Sequence, residues 1–203
     1  KRTKALKEFE KLGFPTKKDE AWKYTSLKSI IKEDFTIFSK KKNVLDFKNV
    51  KNYFLDNTET YKIVFVDGFF DPFLSQTSHD GVDICILSAA LTKPVYSKII
   101  SKYFDTSINT NDSLSLVNTA FAKEGVYVHI PKNKILDKPI EVLHFATGNE
   151  AALMLQPRNL IVVEDNAQVE IIETHQSLTE NPIFTNSVTE IFVGQNAHLD
   201  YYK

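Results

Sequence analysis

The side chains best suited to chemistry in this 203-residue sequence are one cysteine and five histidines. Cys85 lies between Ile84 and Ile86 with no second cysteine in the chain, and a reactive thiol needs a positive, accessible setting. We therefore predict an inert, buried thiol. The histidines are His79, His129, His144, His175 and His198. Their spacing matches neither HxxxH nor HExxH, in which one helix face presents two imidazoles to a metal ion, so no metal or catalytic site is predicted.

The last two histidines belong to segments that alternate like β-strands. His198 and Asp200 lie on the face opposite Leu199 and Tyr201, which predicts an exposed strand face. A metal site shared between neighbouring repeats is the alternative there. His175 falls on the same face as the apolar residues before it, and a hydrogen-bonded histidine at the end of the core is the simpler interpretation.

Motifs for nucleotide, phosphate and acyl chemistry are missing from the sequence. It contains no GxxxxGK[ST], GxGxxG or GxSxG, and six glycines leave few loops able to wrap a phosphate. Carboxylates on predicted strands keep a carbohydrate-active β-helix enzyme as an alternative; they are Glu164, Asp165, Glu170 and Glu173. Such a site would pair acids with arginines, and the sequence has only Arg2 and Arg158. The residues alone therefore favour a scaffold or interaction module that is not an enzyme.

Helical periodicity is confined to the first 124 residues. The predicted helices are 3–12, 44–56, 95–104 and 112–123, with a further helical period at 27–31. Gly13 ends the first helix, Asp112 caps the last one, and Gly125 stops it.

The segment after the first helix contains the single tryptophan of the chain. Thr16 is the predicted cap of a compact turn that includes Trp22 and Tyr24. Because aromatic side chains bury large areas, we predict that both rings are anchored in the core.

Runs of β-branched and aromatic residues mark the strands, which become continuous after residue 125. Asp67-Gly68 is a strong hairpin turn that closes the first run, which starts at Tyr61. The other predicted strands are 73–74, 82–87, 126–130, 139–146, 151–163, 168–175, 184–193 and 197–203.

One short pattern occurs twice near the end of the chain. VVEDNAQVEII (162–172) and FVGQNAHLDYY (192–202) superpose with an offset of 30 residues, which places Asn166 on Asn196. Each copy is a turn followed by a strand with alternating inward positions, as in stacked β-solenoids. The two asparagines are predicted to occupy equivalent corners, because asparagine tolerates left-handed backbone. A hairpin sandwich also repeats its turns and is the alternative.

The two parts of the sequence therefore differ in organisation. We predict a mixed α+β N-terminal domain over residues 1–124 and the start of a β-solenoid over residues 125–203, with no flexible linker between them. A strand that ends as Tyr201-Tyr202-Lys203 would leave an unpaired apolar edge. We therefore expect the sequence to be the N-terminal part of a longer protein.

Charge is distributed unevenly along the chain. Residues 1–62 carry 16 basic and 9 acidic side chains, whereas residues 63–203 carry 9 and 17. Apart from the lysine run at 40–42 the basic residues are interleaved with other types, which predicts a solvated surface and no nucleic-acid or membrane partner. No apolar run approaches the ~20 residues of a membrane span. The basic start has no signal-peptide core, and a single cysteine fits a reducing cytoplasm.

Four sequence blocks carry more information than composition. They are GFPTKKDEAWKYTSLKSI (13–30), LVNTAFAKEGVYVHIPKN (116–133), KPIEVLHF (138–145) and QPRNLIVVEDNAQVEIIETH (156–175). In order and spacing they resemble SufD-type members of the SufB/SufD family of iron–sulfur cluster assembly proteins. SufB shares the last block, whereas the block around Trp22 resembles SufD. A SufB-type paralogue remains the alternative within the family.

The resemblance implies a fold and a role. The fold is an N-terminal helical domain, a right-handed parallel β-helix core and a C-terminal helical domain. The role is that of a non-catalytic scaffold subunit of the SufB–SufC–SufD complex, which contacts SufB and the ATPase SufC and supports iron acquisition. The complex assembles the cluster, so no cofactor is expected in this chain, and the isolated subunit can form a homodimer. The family's interface histidine lies beyond residue 203, and the resemblance assigns no ligand role to the histidines present.

Overall fold

The computed structural model of the protein describes residues 1–37, 39, 43–77, 81–109 and 111–203. His79 and the lysine run at 40–42 lie outside them. The helices are α1 (Arg2–Leu12), α2 (Lys28–Ile31), α3 (Phe47–Val50), α4 (Leu87–Thr92), α5 (Ser97–Tyr103) and α6 (Ser113–Phe121), with 3-10 turns at Glu20–Trp22, Lys51–Tyr53 and Pro94–Tyr96. The strands are β1 (Tyr61–Val66), β2 (Phe69–Phe70), β3 (Asp83–Ile86), β4 (Val126–Ile130), β5 (Ile140–Ala146), β6 (Leu153–Leu155), β7 (Arg158–Val163), β8 (Gln168–Ser177), β9 (Ile183–Thr185), β10 (Val188–Val193) and β11 (His198–Tyr202).

The strands form a mixed α/β structure with two larger sheets and one two-stranded pair. The five-stranded sheet has the order β11-β8-β5-β1-β2, the four-stranded sheet has the order β10-β7-β4-β3, and β6 pairs with β9. All neighbours are parallel except β1–β2 and β3–β4. Strands β1 and β3, from the region predicted as the first domain, therefore pair with β5 and β4 of the second.

Three parallel strand pairs near the end of the chain share one register. Their first aligned residues are Leu153 with Ile183, Arg158 with Val188, and Gln168 with His198. Each pair is offset by 30 residues, which confirms the repeat seen in the sequence. The predicted strands 151–163 and 184–193 are each divided into two, because residues 156–157 and 186–187 belong to no strand and the two parts of each segment join different sheets.

The repeated asparagines occupy equivalent turns, as predicted. Asn166 and Asn196 have φ angles of 57° and 54°, and the Asn196 amide donates to Asn166 Oδ1 at 3.3 Å. Asn133 is a third member that the sequence comparison missed, with a φ of 63° and its Oδ1 2.9 Å from the Asn166 amide nitrogen. The three side chains form a ladder along the stacked turns.

The main apolar core joins the inner faces of the two larger sheets. Ile63, Val142 and Ile171 from the five-stranded sheet pack with Val128 and Ile161 from the four-stranded sheet, and all five are buried. Alternate residues of the same strands face the opposite way, since successive side chains in a strand point to opposite faces.

Both outer sheet faces are also covered. Leu160 of β7 packs with Leu87 of α4, and Leu143 of β5 packs with Val50 of α3. Parallel strands buried on both faces read as nearly continuous apolar runs, which explains segments such as RNLIVV and IEVLHFA.

The predicted helix at 44–56 is wrong in length. Helix α3 covers only four residues and continues into a 3-10 turn, while Val44 and Phe47 are 76% and 52% exposed. Val50 and Phe54 pack against the outer face of the five-stranded sheet. This tertiary contact outweighs the helical preference of the segment, so the helix does not extend over the whole predicted range.

The predicted strand at Phe73-Leu74 is also wrong. Asp71 Oδ1 accepts hydrogen bonds from the backbone N–H groups of both residues, which is an Asx turn, and Phe73 is 88% exposed. The strand lies earlier, at β2. It pairs with β1 across the predicted Asp67-Gly68 turn, whose φ angles are 49° and 79°.

The segment after α1 does not anchor two aromatic rings in the core. Asp19, rather than Thr16, is the cap residue of the 3-10 turn, and its carboxylate accepts the Thr16 backbone N–H at 2.6 Å. Trp22 is half-buried, but Tyr24 is 91% exposed. The turn contains no buried residue and so offers no inner face to hold a second ring.

Most predicted helix ends are confirmed. Gly13 follows α1 with a φ of 68°, and the Asp112 carboxylate accepts the Ser115 N–H at 2.7 Å at the start of α6. Gly125 does not stop α6, which ends four residues earlier. A Cβ at Gly125 would lie 1.9 Å from the Arg158 carbonyl oxygen, so the close approach of two strands requires this glycine. Across the described ranges, no helix is both long and apolar enough to span a membrane.

Candidate functional site

Three side chains that can bind cations meet at one end of the core between the larger sheets. His144 of β5 and His175 of β8 are direct partners in the parallel register, and Glu173 precedes His175 by two residues on the same strand face. Val169 and Ile171 occupy the earlier positions of that face and are buried. The inner face of β8 therefore changes from apolar to polar within one strand.

The two imidazole rings continue a stack of aromatic rings across the sheet. His144 lies between Phe65 and His175, with ring centroids 4.8 and 4.5 Å away and interplanar angles of 9° and 5°. Phe65 and His144 are also aligned in register, and aligned residues on neighbouring strands bring their side chains together.

Glu173 is buried and accepts contacts from several donors. Its Oε1 lies 2.6 Å from His175 Nε2 and 3.0 Å from Lys203 Nζ. The Tyr201 hydroxyl and the Asn159 amide both donate to Oε2. Burial opposes ionisation of Glu173, but these hydrogen bonds and the nearby positive charge outweigh it and hold its pKa well below the usual range.

His144 is neutral at physiological pH because it is buried. Burial, together with the electrostatic influence of the neighbouring His175, lowers the pKa of His144 from 6.5 to about 3. Its Nε2 atom is buried and has no hydrogen-bond partner among the described residues. The same holds for Nδ1 of His175 within the described ranges.

A pocket of about 210 Å³ reaches the two rings. It is lined by His144, His175, Leu155, Gln176 and Thr185, among others. One donor atom from each of the two histidines and Glu173 lies within 4.8 Å of the others. Two imidazoles and one carboxylate can bind a divalent transition metal ion or exchange a proton.

A second buried cluster is built around Arg158 on the outer face of the four-stranded sheet. One guanidinium nitrogen lies 2.5 Å from Asp105 Oδ1 and 3.1 Å from Glu190 Oε2. Glu190 also accepts the backbone N–H groups of residues 105, 106 and 107. Asn118 bonds Arg158 and the carbonyls of Pro157 and Asn186. These contacts tie the loop after α5 and helix α6 to the sheet.

The other candidate residues lie away from the His144–Glu173–His175 cluster. Cys85 is half-buried in the outer core and not fully buried as predicted, and this burial raises the pKa of its thiol to about 11, which favours the unreactive protonated form. His129 contacts Asp83 at 3.0 Å. His198 and Asp200 are 3.3 Å apart with side chains 67% and 48% exposed, which confirms the predicted exposed strand face.

Part of the signal for the His144–Glu173–His175 cluster is present in the sequence. The parity of β8 correctly placed His175 on the core face, but Glu173 entered only among the carboxylates of the carbohydrate-enzyme alternative. His144 lies 31 residues away in the aligned strand, and no short motif records such a pairing.

Two family models match the chain over almost its full length. The model described as SufBD protein N-terminal region matches residues 1–142, and the model described as SUF system FeS cluster assembly, SufBD core domain, matches residues 144–203. The chain belongs to the SufBD family. The resemblance drawn from the four sequence blocks is therefore confirmed.

Several curated relatives carry matching names. An iron–sulfur cluster assembly SufBD family protein of Synechocystis sp. is 31% identical over 207 residues, covering 95% of this chain and 44% of the relative. The iron–sulfur cluster assembly protein SufD of Escherichia coli is 25% identical over 201 residues, covering 98% and 44%. SufD of Bacillus subtilis is 30% identical over 111 residues, covering 52% and 24%. The chain spans less than half the length of these relatives.

Proposed function

We propose that this protein is a SufD-type scaffold subunit that supports iron–sulfur cluster assembly through contacts with SufB and the ATPase SufC, without catalysing a reaction itself. The observation that carries the proposal is the consecutive match of both SufBD family models along the chain. We propose that it acts in the cytoplasm. The complex holds the cluster, and this subunit supports iron acquisition without a resident cofactor.

We further propose that the parallel strands after residue 125 are the first rungs of a right-handed β-helix. The shared 30-residue register of three strand pairs supports this, as does the ladder of asparagine corners. We set the boundary of the N-terminal region at 124–125, where α6 has ended and β4 begins. Strands β1 and β3 then join the first rungs of the core.

A SufD-type role is favoured over the two alternatives. Relatives named SufD support it over a SufB-type paralogue. A carbohydrate-active enzyme would line a groove with acids and arginines. Arg2 and Arg158 line one pocket together with acidic residues, but Arg158 is 3% exposed in the ion network and Arg2 donates to the Ala122 carbonyl, so both guanidinium groups are already bonded within the protein.

Co-expression of the full-length protein tests the proposal. The protein is produced with SufC plus either SufB or SufD, with the affinity tag on SufC, and each mixture is analysed by size exclusion and light scattering. Because SufC is itself a proposed partner, recovery on SufC alone does not discriminate between the two types. A SufD-type subunit should be recovered in a complex that also contains SufB, whereas a SufB-type subunit should be recovered in a complex that also contains SufD.

Two results would refute the scaffold role. One is a full-length protein that elutes alone in both mixtures. The other is hydrolysis of acidic oligosaccharides by the purified protein, which would favour the enzyme alternative. SufC with SufB alone is the control for complexes that form without this protein.

A further inference from the structure

The His144–Glu173–His175 cluster combines a metal-binding set of side chains with two ring nitrogens that have no hydrogen-bond partner among the described residues. We propose that these three residues bind one divalent first-row transition-metal ion at the end of the inter-sheet core. This inference goes beyond the proposed scaffold function and does not rest on it. Its grounds are the strand register, the unpartnered nitrogens and the pocket.

The first argument is the state of the ring nitrogens. His144 is 5% exposed, and its buried Nε2 has no hydrogen-bond partner in the part of the chain that the structure describes. Nδ1 of His175 is in the same condition there. Buried polar atoms are rarely left unpaired, because each one loses its water contacts without compensation. A bound cation would give such nitrogens a partner.

The second argument is geometric. The three donor atoms lie within 4.8 Å of one another. Metal–nitrogen and metal–oxygen bonds of ~2.1 Å in a tetrahedral site place donor atoms roughly 3.4 Å apart. His144 and His175 sit on aligned positions of neighbouring strands, and their rings must rotate out of the present stack, in which the ring planes are 5° apart, to direct both nitrogens at one ion.

The third argument concerns the class of ion. Two imidazoles and one carboxylate form a three-ligand set that leaves a further coordination position, and the pocket reaches the two imidazole rings. Imidazole suits zinc, iron, cobalt, nickel and copper, whereas magnesium and calcium prefer oxygen ligands. The donor set therefore selects against the abundant alkaline-earth ions.

The surroundings of Glu173 bear on how the ion would be held. Tyr201 and Asn159 donate to one carboxylate oxygen and fix its orientation, as outer contacts do in known metal sites. Lys203 contacts the other oxygen at 3.0 Å and would compete with the ion for it. A purely structural cluster would use the same contacts but would bind no metal, which makes metal binding the deciding measurement.

Metal titration of the full-length protein tests the proposal. The protein is prepared without a polyhistidine tag, stripped with chelator and titrated anaerobically with Co²⁺, whose visible absorption reports nitrogen ligation, and then with competing Zn²⁺. The variants are His175→Phe, which keeps an aromatic ring in the stack, and Glu173→Gln, which keeps the side-chain size. His198→Ala is the matched control, because it removes an exposed histidine beside a carboxylate.

The expected result is a loss specific to the cluster. Compared with the wild type, His175→Phe should lack one equivalent of bound Co²⁺ or bind it at least about tenfold more weakly, and Glu173→Gln should weaken it as well. His198→Ala should stay within about twofold of the wild type. Near-UV circular dichroism shows which variants are folded. If His175→Phe does not fold, the result for Glu173→Gln decides the outcome.

Three results would overturn the proposal. The first is a folded wild type and folded Glu173→Gln with the same stoichiometry and affinity. The second is a larger loss in His198→Ala than in either cluster variant. The third is displacement of Co²⁺ by millimolar Ca²⁺, which would indicate an oxygen-only site elsewhere.

Discussion

Two clusters of titratable side chains lie at different places in the fold. The His144–Glu173–His175 cluster lies at the end of the core between the two larger sheets, and the Arg158 cluster lies on the outer face of the four-stranded sheet. They differ in how completely their polar groups are paired. In the Arg158 cluster one arginine contacts two carboxylates, and Glu190 accepts three further backbone N–H groups. In the His144–Glu173–His175 cluster the carboxylate is well bonded, but each imidazole keeps one unpaired nitrogen among the described residues.

The difference separates a structural role from a binding role. Elements far apart in sequence meet at Arg158, and every carboxylate there has a protein partner. Within the described residues only Arg158 Nε lacks a partner in that cluster. A buried ion pair does not need to add net stability, but the loss of one partner leaves a costly lone charge. The histidine cluster instead retains donor capacity beside a pocket, which is the requirement for a ligand.

The largest expected effect comes from a carboxylate placed without partners on the same strand face as Glu173. Ile171→Asp should destabilise the protein by more than about 4 kcal/mol, because Ile171 is fully buried in apolar contacts. Urea unfolding of the full-length protein measures the loss. Glu170→Asp on the exposed face is the control. An unchanged unfolding midpoint for Ile171→Asp would mean that position 171 does not face the core.

Removal of Arg158 should cost nearly as much. Arg158→Met is expected to destabilise the protein by about 3–5 kcal/mol, since Glu190 would remain buried and charged. The double variant Arg158→Met/Glu190→Gln should recover part of the loss in the same unfolding assay. Arg2→Met, on the surface, should change the stability by less than about 0.5 kcal/mol. A double variant less stable than the single one would argue against a structural ion pair.

The equivalent change in the histidine cluster should be milder. Glu173→Gln is expected to cost about 1–2 kcal/mol, because the amide keeps a hydrogen bond to Tyr201. Chemical unfolding beside Arg158→Met provides the comparison, with Glu170→Gln as control. A loss equal to that of Arg158→Met would remove the distinction drawn between the two clusters.

The smallest expected effect at neutral pH is that of His144, which appears as a change in the pH dependence of stability. The pKa of His144 is about 3 in the folded protein and ordinarily 6.5. At pH values between these two, the unfolded chain binds a proton at His144 that the folded protein does not bind. The contribution of neutral His144 to the free energy of unfolding is therefore fully present above about pH 6.5 and is lost as the pH falls toward 3. His144→Gln should flatten this slope, measured as melting temperature against pH, while His198→Gln should not. Parallel slopes for His144→Gln and the wild type would show that His144 is not held neutral.

Local sequence patterns predicted much of the fold. The caps at Gly13 and Asp112, the Asp67-Gly68 turn and the 30-residue repeat are all confirmed, because each depends on a few neighbouring residues. The errors have different origins. At 44–56 the burial of Val50 and Phe54 depends on the distant sheet against which they pack. At Phe73 the local Asx turn of Asp71 was overlooked, and Tyr24 follows a turn that contains no buried residue.

The sequence by itself determined the alternation of β8, the turns that stack its repeats and the family to which the chain belongs. Only the tertiary structure decided that His144 faces His175, since strand register links residues that no local motif connects. It also decided that Arg158 is buried between two carboxylates. The physical reason is that parallel neighbours require crossover connections, so the partner of each strand is chosen by packing of the whole core and not by adjacent residues.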